Sequence, residues 1–380
     1  MNYREVLVVG GGIIGFVSAL RLALEGVSCV VLERKSLGYW NEGLRYFAVA
    51  QDVIQWLSHW KIVDLNGFWP IHNAALRMDT MSNEIQFSCK QSEEPRLGVM
   101  IQEKVLMEML VTRLQKFSHV SLFFSKNLQR IWSDSEYVYV LDKENSLYRG
   151  RCCIAADGNK SWVRSQLENK PYYYDFGQIA STGVVQFQGD AHTVWDFFSK
   201  DQCVGILPFS YQQAAFILMG SSRKTIPSQE NAFQKNGFFS LLNRGLRDKI
   251  KILGLDRWDG QYPLTAGRCK YETHGLVLFL GDALEWMHPL MGQGMNLALR
   301  YASKWLDALP EALISGVCLQ KWLRGHRQKN WQGGLGVNVG AIALQGTVRS
   351  CVWKAITWGT LCPGVSKWCL KRGRIPFRTL

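Results

Sequence analysis

Gly10-Gly11-Gly12-Ile13-Ile14-Gly15 stands between an apolar run at residues 4–9 and a helical pattern with Ile13, Val17, Leu20 and Leu24 on one face. Residues 28–32 read as the next strand, and Glu33 closes it 23 residues after Gly10. A GxGxxG alone is a weak signal; between a strand and a helix, with an acid ending the second strand, it reads as a dinucleotide-binding βαβ unit. Gly10 permits the tight turn, Gly12 lets the backbone approach a pyrophosphate, and Gly15 lets helix and strand pack closely. The first turn, with the backbone of Ile13 and Ile14, offers unpaired N–H donors and the positive end of the helix dipole to phosphates. Glu33, with Arg34 beside it, is placed to accept hydrogen bonds from a ribose. An acid there favours FAD or NAD over NADP. The loop alone does not separate FAD from NAD.

The chain around this unit has 380 residues, 47% of them hydrophobic and 20% charged. That is enough to bury a sizeable core and excludes a disordered chain or a small disulfide scaffold. The net charge is +13, but it is unevenly placed: residues 312–380 carry eleven Lys and Arg and no Asp or Glu, so residues 1–311 stand at +2. The tail also carries Trp322, Trp331, Trp353, Trp358 and Trp368. Basic and Trp-rich composition suits the headgroup region of an anionic membrane leaflet. No nucleic-acid motif accompanies it, so nucleic acid is not an expected partner. Ten scattered cysteines without a CxxC read as free buried thiols of a reducing compartment, and the seven histidines show no metal-ligand spacing. With no signal peptide or transmembrane run recognisable, the expected location is cytoplasmic and peripherally membrane-associated.

Further along, residues 102–117 read as an amphipathic helix, and residues 119–125, 136–141 and 147–155 as strands. Between about 176 and 264, short β-type runs are separated by Gly, Ser, Gln and Asp clusters. Alpha/beta character returns at residues 276–280, with a helix from Gly294. The expected fold is α/β: a Rossmann-type dinucleotide domain with an inserted, mostly antiparallel β-sheet substrate domain and a helical C-terminal segment. The expected boundaries are 1–75, 97–175 and 265–325 for the first, 76–96 and 176–264 for the second, and 326–380 for the basic tail.

Two later stretches narrow the cofactor. One is Ala155-Ala156-Asp157-Gly158-Asn159-Lys160-Ser161-Trp162-Val163-Arg164. The other runs Gly281-Asp282-Ala283-Leu284-Glu285-Trp286-Met287-His288-Pro289-Leu290-Met291-Gly292-Gln293-Gly294-Met295-Asn296. With the glycine loop, these resemble the three motifs of the class A flavin monooxygenases of the para-hydroxybenzoate hydroxylase type. Ala191–Phe198, Val204–Phe209 and Tyr262-Pro263-Leu264 are similar to segments of the ubiquinone-biosynthesis flavin hydroxylases. The similarity spans about residues 3–330.

The resemblance implies FAD as cofactor and NAD(P)H as transient co-substrate. It implies hydroxylation of the aromatic ring of a polyprenylated phenol with O₂, through a C4a-hydroperoxyflavin, and possible membership of a ubiquinone-biosynthesis complex. It assigns to the FAD the residues Gly10, Gly12, Ile13, Ile14, Gly15, Glu33, Arg34, Arg45, Gln102, Asp157, Gly158, Gly281, Asp282, Pro289, Gly292, Gly294, Met295 and Asn296. Arg164 would add positive charge near the pyrophosphate, and His288 and Pro289 would lie beside the flavin as candidates for the chemistry. No metal is implied. Glu285 stands where the motif has His, and Ala155 where it has Gly. Two alternatives stay open: a flavin hydroxylase or reductase of another apolar small molecule, and a non-catalytic FAD-binding subunit of a membrane-associated complex.

Overall fold

The structure is a computed structural model that describes residues 2–42, 45–78, 84–199, 202–221, 249–289 and 292–326. Most of the basic tail, residues 327–380, lies outside the described residues, as does the stretch 222–248.

The apolar runs of the first motif become the middle of a six-stranded sheet. Its order is Thr273–His274, Val277–Phe279, Cys152–Ala155, Val6–Val9, Cys29–Leu32 and Val120–Phe123. All neighbours run parallel except the terminal hairpin pair. Strands covered on both faces need no polar alternation, which is why VLVV, CVVL and CCIA are apolar throughout. Cys152 and Cys153, adjacent on the central strand, are both buried as free thiols, one toward each covered face. Helix Ile13–Leu24 lies against this sheet and is buried nearly all round, from Gly15 to Ala23. Its one deeply buried charge, Arg21, is paired with Glu25 at 2.9 Å and Asp307 at 3.3 Å and capped by the Trp60 ring at 3.5 Å. Helices Glu103–Leu114 and Gly294–Ile314 pack beside it.

The single strand expected at 147–155 is two. Leu147–Gly150 pairs antiparallel with Val138–Asp142 in a four-stranded sheet, and Cys152–Ala155 enters the parallel sheet. The chain changes sheets at Arg151, whose N–H bonds Glu5 O at 2.9 Å, while its guanidinium reaches Leu313 O.

The inserted sheet has eight strands in the order Glu285–Trp286, Ile250–Cys269, Pro171–Gly189, Gln213–Ser221, Gln202–Pro208, Thr193–Phe198, Asn73–Met78 and Ile85–Ser88. It is antiparallel except where Thr193–Phe198 runs parallel to Asn73–Met78. Pro171–Gly189 and Ile250–Cys269 pair along nearly their whole lengths; both continue through the boundaries expected at 175/176 and 264/265, where the register shifts between Asp175 and Gln178. One face packs into a core of Trp195, Val204, Ile206, Phe216, Leu218, Val185, Phe187, Ile250 and Ile252. The opposite face carries a smaller cluster, Ala180, Met219 and Leu264 with Phe176, Cys203 and Ile217.

Helix Leu319–Gly325 follows the long C-terminal helix. Its Trp322 stacks on His326 and meets Trp305 edge-on, so this tryptophan of the basic segment packs against the body instead of facing outward. Among the described residues no helix is long and apolar enough to cross a membrane.

Candidate functional site

The three motifs follow three adjacent strands, Val6–Val9, Cys152–Ala155 and Val277–Phe279, so their loops meet at one edge of the parallel sheet, outside its carboxyl ends. The glycines record how closely. Gly10 has φ +102°, and a Cβ there would lie 2.7 Å from Asp157 Cα. A Cβ on Gly15 would collide with the Gly10 carbonyl, and one on Gly281 would lie 2.9 Å from Ile14 Cγ1. Over Gly12, by contrast, a Cβ would meet nothing within 4 Å. The loop is thus close-packed on its protein side and open at the helix entrance.

That entrance is uncapped. Gly12 is the N-cap of Ile13–Leu24 and no side chain bonds its first turn. The helix from Gly294 likewise starts without a side-chain cap, at Gln293. Before it, Gly292 N–H donates to Pro289 O at 3.0 Å, closing a turn with Gly292 at φ +61°. Met295 is half-buried at this start. Among the described residues neither helix start has a side-chain cap, which suits each to an anionic group.

Carboxylates and one arginine define the rest. Glu33 accepts from Gly11 N–H at 2.6 Å and Lys35 N–H at 2.6 Å, which fixes it beside the loop; Arg34 is exposed next to it. Asp157 accepts from Val163 N–H at 3.0 Å through Oδ2, while Oδ1 is buried without a hydrogen-bond partner. Desolvation raises its pKa against hydrogen bonds from Ser161 and Val163. Gly158, at φ +82°, has open space where a Cβ would sit. Asp282 is exposed, yet desolvation raises its carboxyl, with Arg45 and Arg164 opposing. Its surface is open to contact while its charge is poorly solvated, the situation of a group in a surface recess. Arg45 and Tyr262 share that character: their exposures are 67% and 42%. The Arg45 side chain forks onto Glu103, with Nε to Oε2 at 2.9 Å. Burial pulls the Arg45 pKa down, but the Glu103 hydrogen bond and charge, with Tyr262 and Asp282, hold it above its ordinary value. Gln102 is half-buried and forms the N-cap of the helix that carries Glu103.

Three residues are engaged elsewhere than the sequence suggests. Arg164 donates to Ala283 O at 3.0 Å and to Asn159 O, and lies over the Trp286 ring; it ties the second motif to the third instead of standing free for phosphate. Asn296 is buried, with Nδ2 donating to Ala48 O at 2.8 Å and Oδ1 accepting from Ala50 N–H at 2.9 Å, so its side chain locks the helix onto strand Tyr46–Ala50. His288 is 3% exposed, 3.1 Å from Gln178 Oε1 and edge-on to Phe176. Burial lowers its pKa to about 4, so it is neutral at physiological pH and braces the loop against the inserted sheet.

The chain matches the FAD binding domain family over residues 3–315. It belongs to that family. The open glycine cradle, the unpartnered Asp157 oxygen and the two uncapped helix starts fit FAD, and FAD is its cofactor. The chain is 26% identical over 326 residues to the 3-demethoxyubiquinol 3-hydroxylase of Escherichia coli, covering 82% of this chain and 81% of that one. To the ubiquinone hydroxylase UbiL of Rhodospirillum rubrum it is 26% identical, covering 78% and 70%. Among solved structures, the p-nitrophenol 4-monooxygenase PnpA of Pseudomonas putida superposes with a TM-score of 0.76 over 100% of both chains at 16% identity. The family and these relatives make the chain a FAD-dependent monooxygenase.

Several residues of this FAD-binding body escaped the sequence reading. Glu103, the partner of Arg45, sits 58 positions away from it. Tyr46, stacked on Phe209 at 3.9 Å and 7°, bridges the FAD body and the inserted sheet. Tyr262 was noticed only as part of a similar segment. No local spacing marks any of them.

Proposed function

We propose that this flavoenzyme hydroxylates the aromatic ring of a polyprenylated phenol in ubiquinone biosynthesis, with NAD(P)H as reductant and O₂ as oxygen source. The observation that carries the reading is the second face of the inserted sheet. Its apolar wall, Phe176, Leu264, Ala180, Met219, Cys203 and Ile217, begins at the His288 ring, beside the loop that leads to the uncapped helix start. An apolar wall facing a polar, dipole-lined cleft suits a ring with a long hydrocarbon tail. Bound FAD supplies hydride acceptance and oxygen activation. The chain's own part is to hold the pyrophosphate on the Gly12 cradle, to keep Asp157 and Asp282 toward hydroxyl-bearing parts of the cofactor, and to exclude water from the ring. The relatives' names support the substrate class.

Two of the departures from the motifs, Glu285 and Ala155, are absorbed structurally, which favours an active enzyme. Glu285 is ion-paired with Arg268, and Ala155 is buried in the sheet core. Purified holoprotein should oxidise NADPH or NADH faster when a prenylated phenol is added, and yield a ring-hydroxylated product by mass spectrometry. Bound FAD that neither nicotinamide reduces, with or without the phenol, would refute the enzymatic reading.

The reading includes work at an anionic membrane surface, with the basic tail as anchor and a place in a ubiquinone-biosynthesis complex. Each Lys or Arg close to such a surface contributes about 1 kcal/mol. Removing the residues from Lys367 onward takes away Lys367, Lys371, Arg372, Arg374 and Arg378. Flotation with anionic vesicles should then weaken sharply, and added salt should do the same to the full chain. Binding that ignores both would overturn the electrostatic anchor.

A further inference from the structure

Strands Thr193–Phe198, Gln202–Pro208 and Gln213–Ser221 contain one charged residue, Asp196. The register fixes its face. Asp196 pairs with Gly205, Gly205 with Ile217, and Ile217 with Thr182, so all four share a face. Trp195, its neighbour in sequence, points into the opposite core with Ile206 and Phe216. The next row on the same face is Phe198, Cys203, Met219, Ala180 and Tyr262, and Tyr262 reaches the cleft of Arg45. Asp196 therefore stands on the apolar wall that starts at His288.

Gly205 gives the carboxylate room: a Cβ there would lie 3.1 Å from Asp196 Oδ1. Asp196 is half-buried, and among the described residues no hydrogen bond or ion pair reaches it. The buried carboxylate of Asp142, by contrast, is served by Lys126 and by the Glu144 and Ser146 amides. A desolvated carboxyl without a donor costs stability, and such groups concentrate where a ligand completes them. Desolvation alone lifts its pKa to about 7. The titratable group facing it is Cys203 on the adjacent strand, a thiol that burial pushes well above its ordinary value and keeps neutral. Its other same-face neighbours, Leu76 and Ile217, are apolar.

We propose that Asp196 holds the phenolic hydroxyl of the substrate, accepting its hydrogen bond and, as the ring takes up oxygen, its proton. The O–H bond breaks with its electron pair left on the ring oxygen. The proton rides on an Asp196 oxygen until the hydroxyl of the product takes it back, and the carboxyl gains and loses no electrons. This rests on the phenol-hydroxylase reading above and adds to it the residue that recognises the hydroxyl. The direction with pH follows: the ionised carboxylate is the competent form, so kcat/KM falls as pH drops through about 7.

The test compares the wild-type holoenzyme with Asp196→Asn and Asp196→Glu, using a short-chain prenylphenol and its methyl ether as probes. Binding is followed by the perturbation of the bound flavin spectrum, and turnover by product. In the wild type the phenol should bind about tenfold more tightly than the ether, and kcat/KM should show an acid limb near pH 7. Asp196→Asn should erase both the preference and the limb and lower kcat at least tenfold, and Asp196→Glu should restore part of each. If the wild type hydroxylates the phenol and Asp196→Asn keeps the limb and the preference, the assignment to Asp196 falls while the hydroxylase reading stands. If the wild type neither binds nor turns over any phenol, both fall. An independent readout is Tm: Asp196→Asn should melt higher than the wild type at about pH 8 and equally at about pH 4, because only the ionised form is penalised. Equal melting at both pH values would show a solvated carboxyl and overturn the proposal.

Discussion

The glycine cradle and the wall proposed for the substrate are both made of short apolar elements, yet they are built to hold ligands by opposite means. The cradle works through backbone: Gly10 and Gly15 exist to let main chains touch, and its donors are the uncapped first turns of two helices. The wall works through side chains displayed at every second position of antiparallel strands, with one carboxylate among them. Backbone recognition needs particular residues at fixed spacing and tolerates no Cβ. Side-chain recognition needs only a register, and many apolar residues satisfy it. The cradle should therefore be brittle to small changes, and the wall plastic.

The largest expected effect breaks the cradle outright. Gly15→Val would drive a branched side chain into the Gly10 carbonyl, and the purified protein should carry no flavin after desalting, whereas Ile217→Ala on the wall should keep its full complement. A flavin-replete Gly15→Val would end the contrast. Next is the brace between the two regions. His288 is held neutral in the fold, with its pKa depressed from 6.5 to about 4. Between those values the unfolded chain binds more protons, so stability is fully present above about pH 6.5 and lost as pH falls toward 4. The loss is about 3 kcal/mol by linkage, and His288→Gln should flatten it in denaturant titrations across that range.

Arg164→Met tests the tie between motifs. It takes the Arg164 donor from the Asn159 carbonyl and leaves the Ala283 carbonyl with only the Cys269 thiol, and should cost about 1–3 kcal/mol in denaturant titration, with FAD binding weakened as a consequence. The smallest effect sits on the cleft wall, where Arg45→Met should weaken FAD about tenfold, equivalent to ~1.4 kcal/mol, without lowering the Tm of the flavin-free protein. A fall in that Tm would make the Arg45–Glu103 fork structural.

The same contrast explains what could be read from the chain beforehand. Gly10, Gly12, Gly15 and Glu33 were legible because one βαβ unit carries them within 24 residues, and each is demanded by local geometry. The later motifs were legible as strings, but the destinations of their side chains were not. Arg164, Asn296 and His288 sit in the right loops, yet their partners, Ala283, Ala48 and Gln178, are set by tertiary packing across 110 to 248 positions in chain order for the last two. The split of 147–155 depended on Glu5 offering its carbonyl to both Arg151 and Cys152. Asp196 was invisible for another reason: a lone acid in an apolar strand acquires meaning only when the register shows which face it shares and with what.

The paired strands Pro171–Gly189 and Ile250–Cys269 also act as a gauge. Each residue advances such a ribbon by about 3.3 Å, and side chains return to the same face every second residue. Lengthening both strands by a matched pair of residues would extend the wall by about 7 Å and leave every other side chain on its face. A single added residue would invert the faces unless it is taken up as a bulge, and the ribbon already shifts register at Asp175/Gln178, Thr182/Gly183, Val184/Val185 and Gln186/Phe187. The ribbon therefore lengthens in matched pairs where its pairing is regular and in single residues where it bulges, so its bulges are the places at which the wall can change without losing its faces.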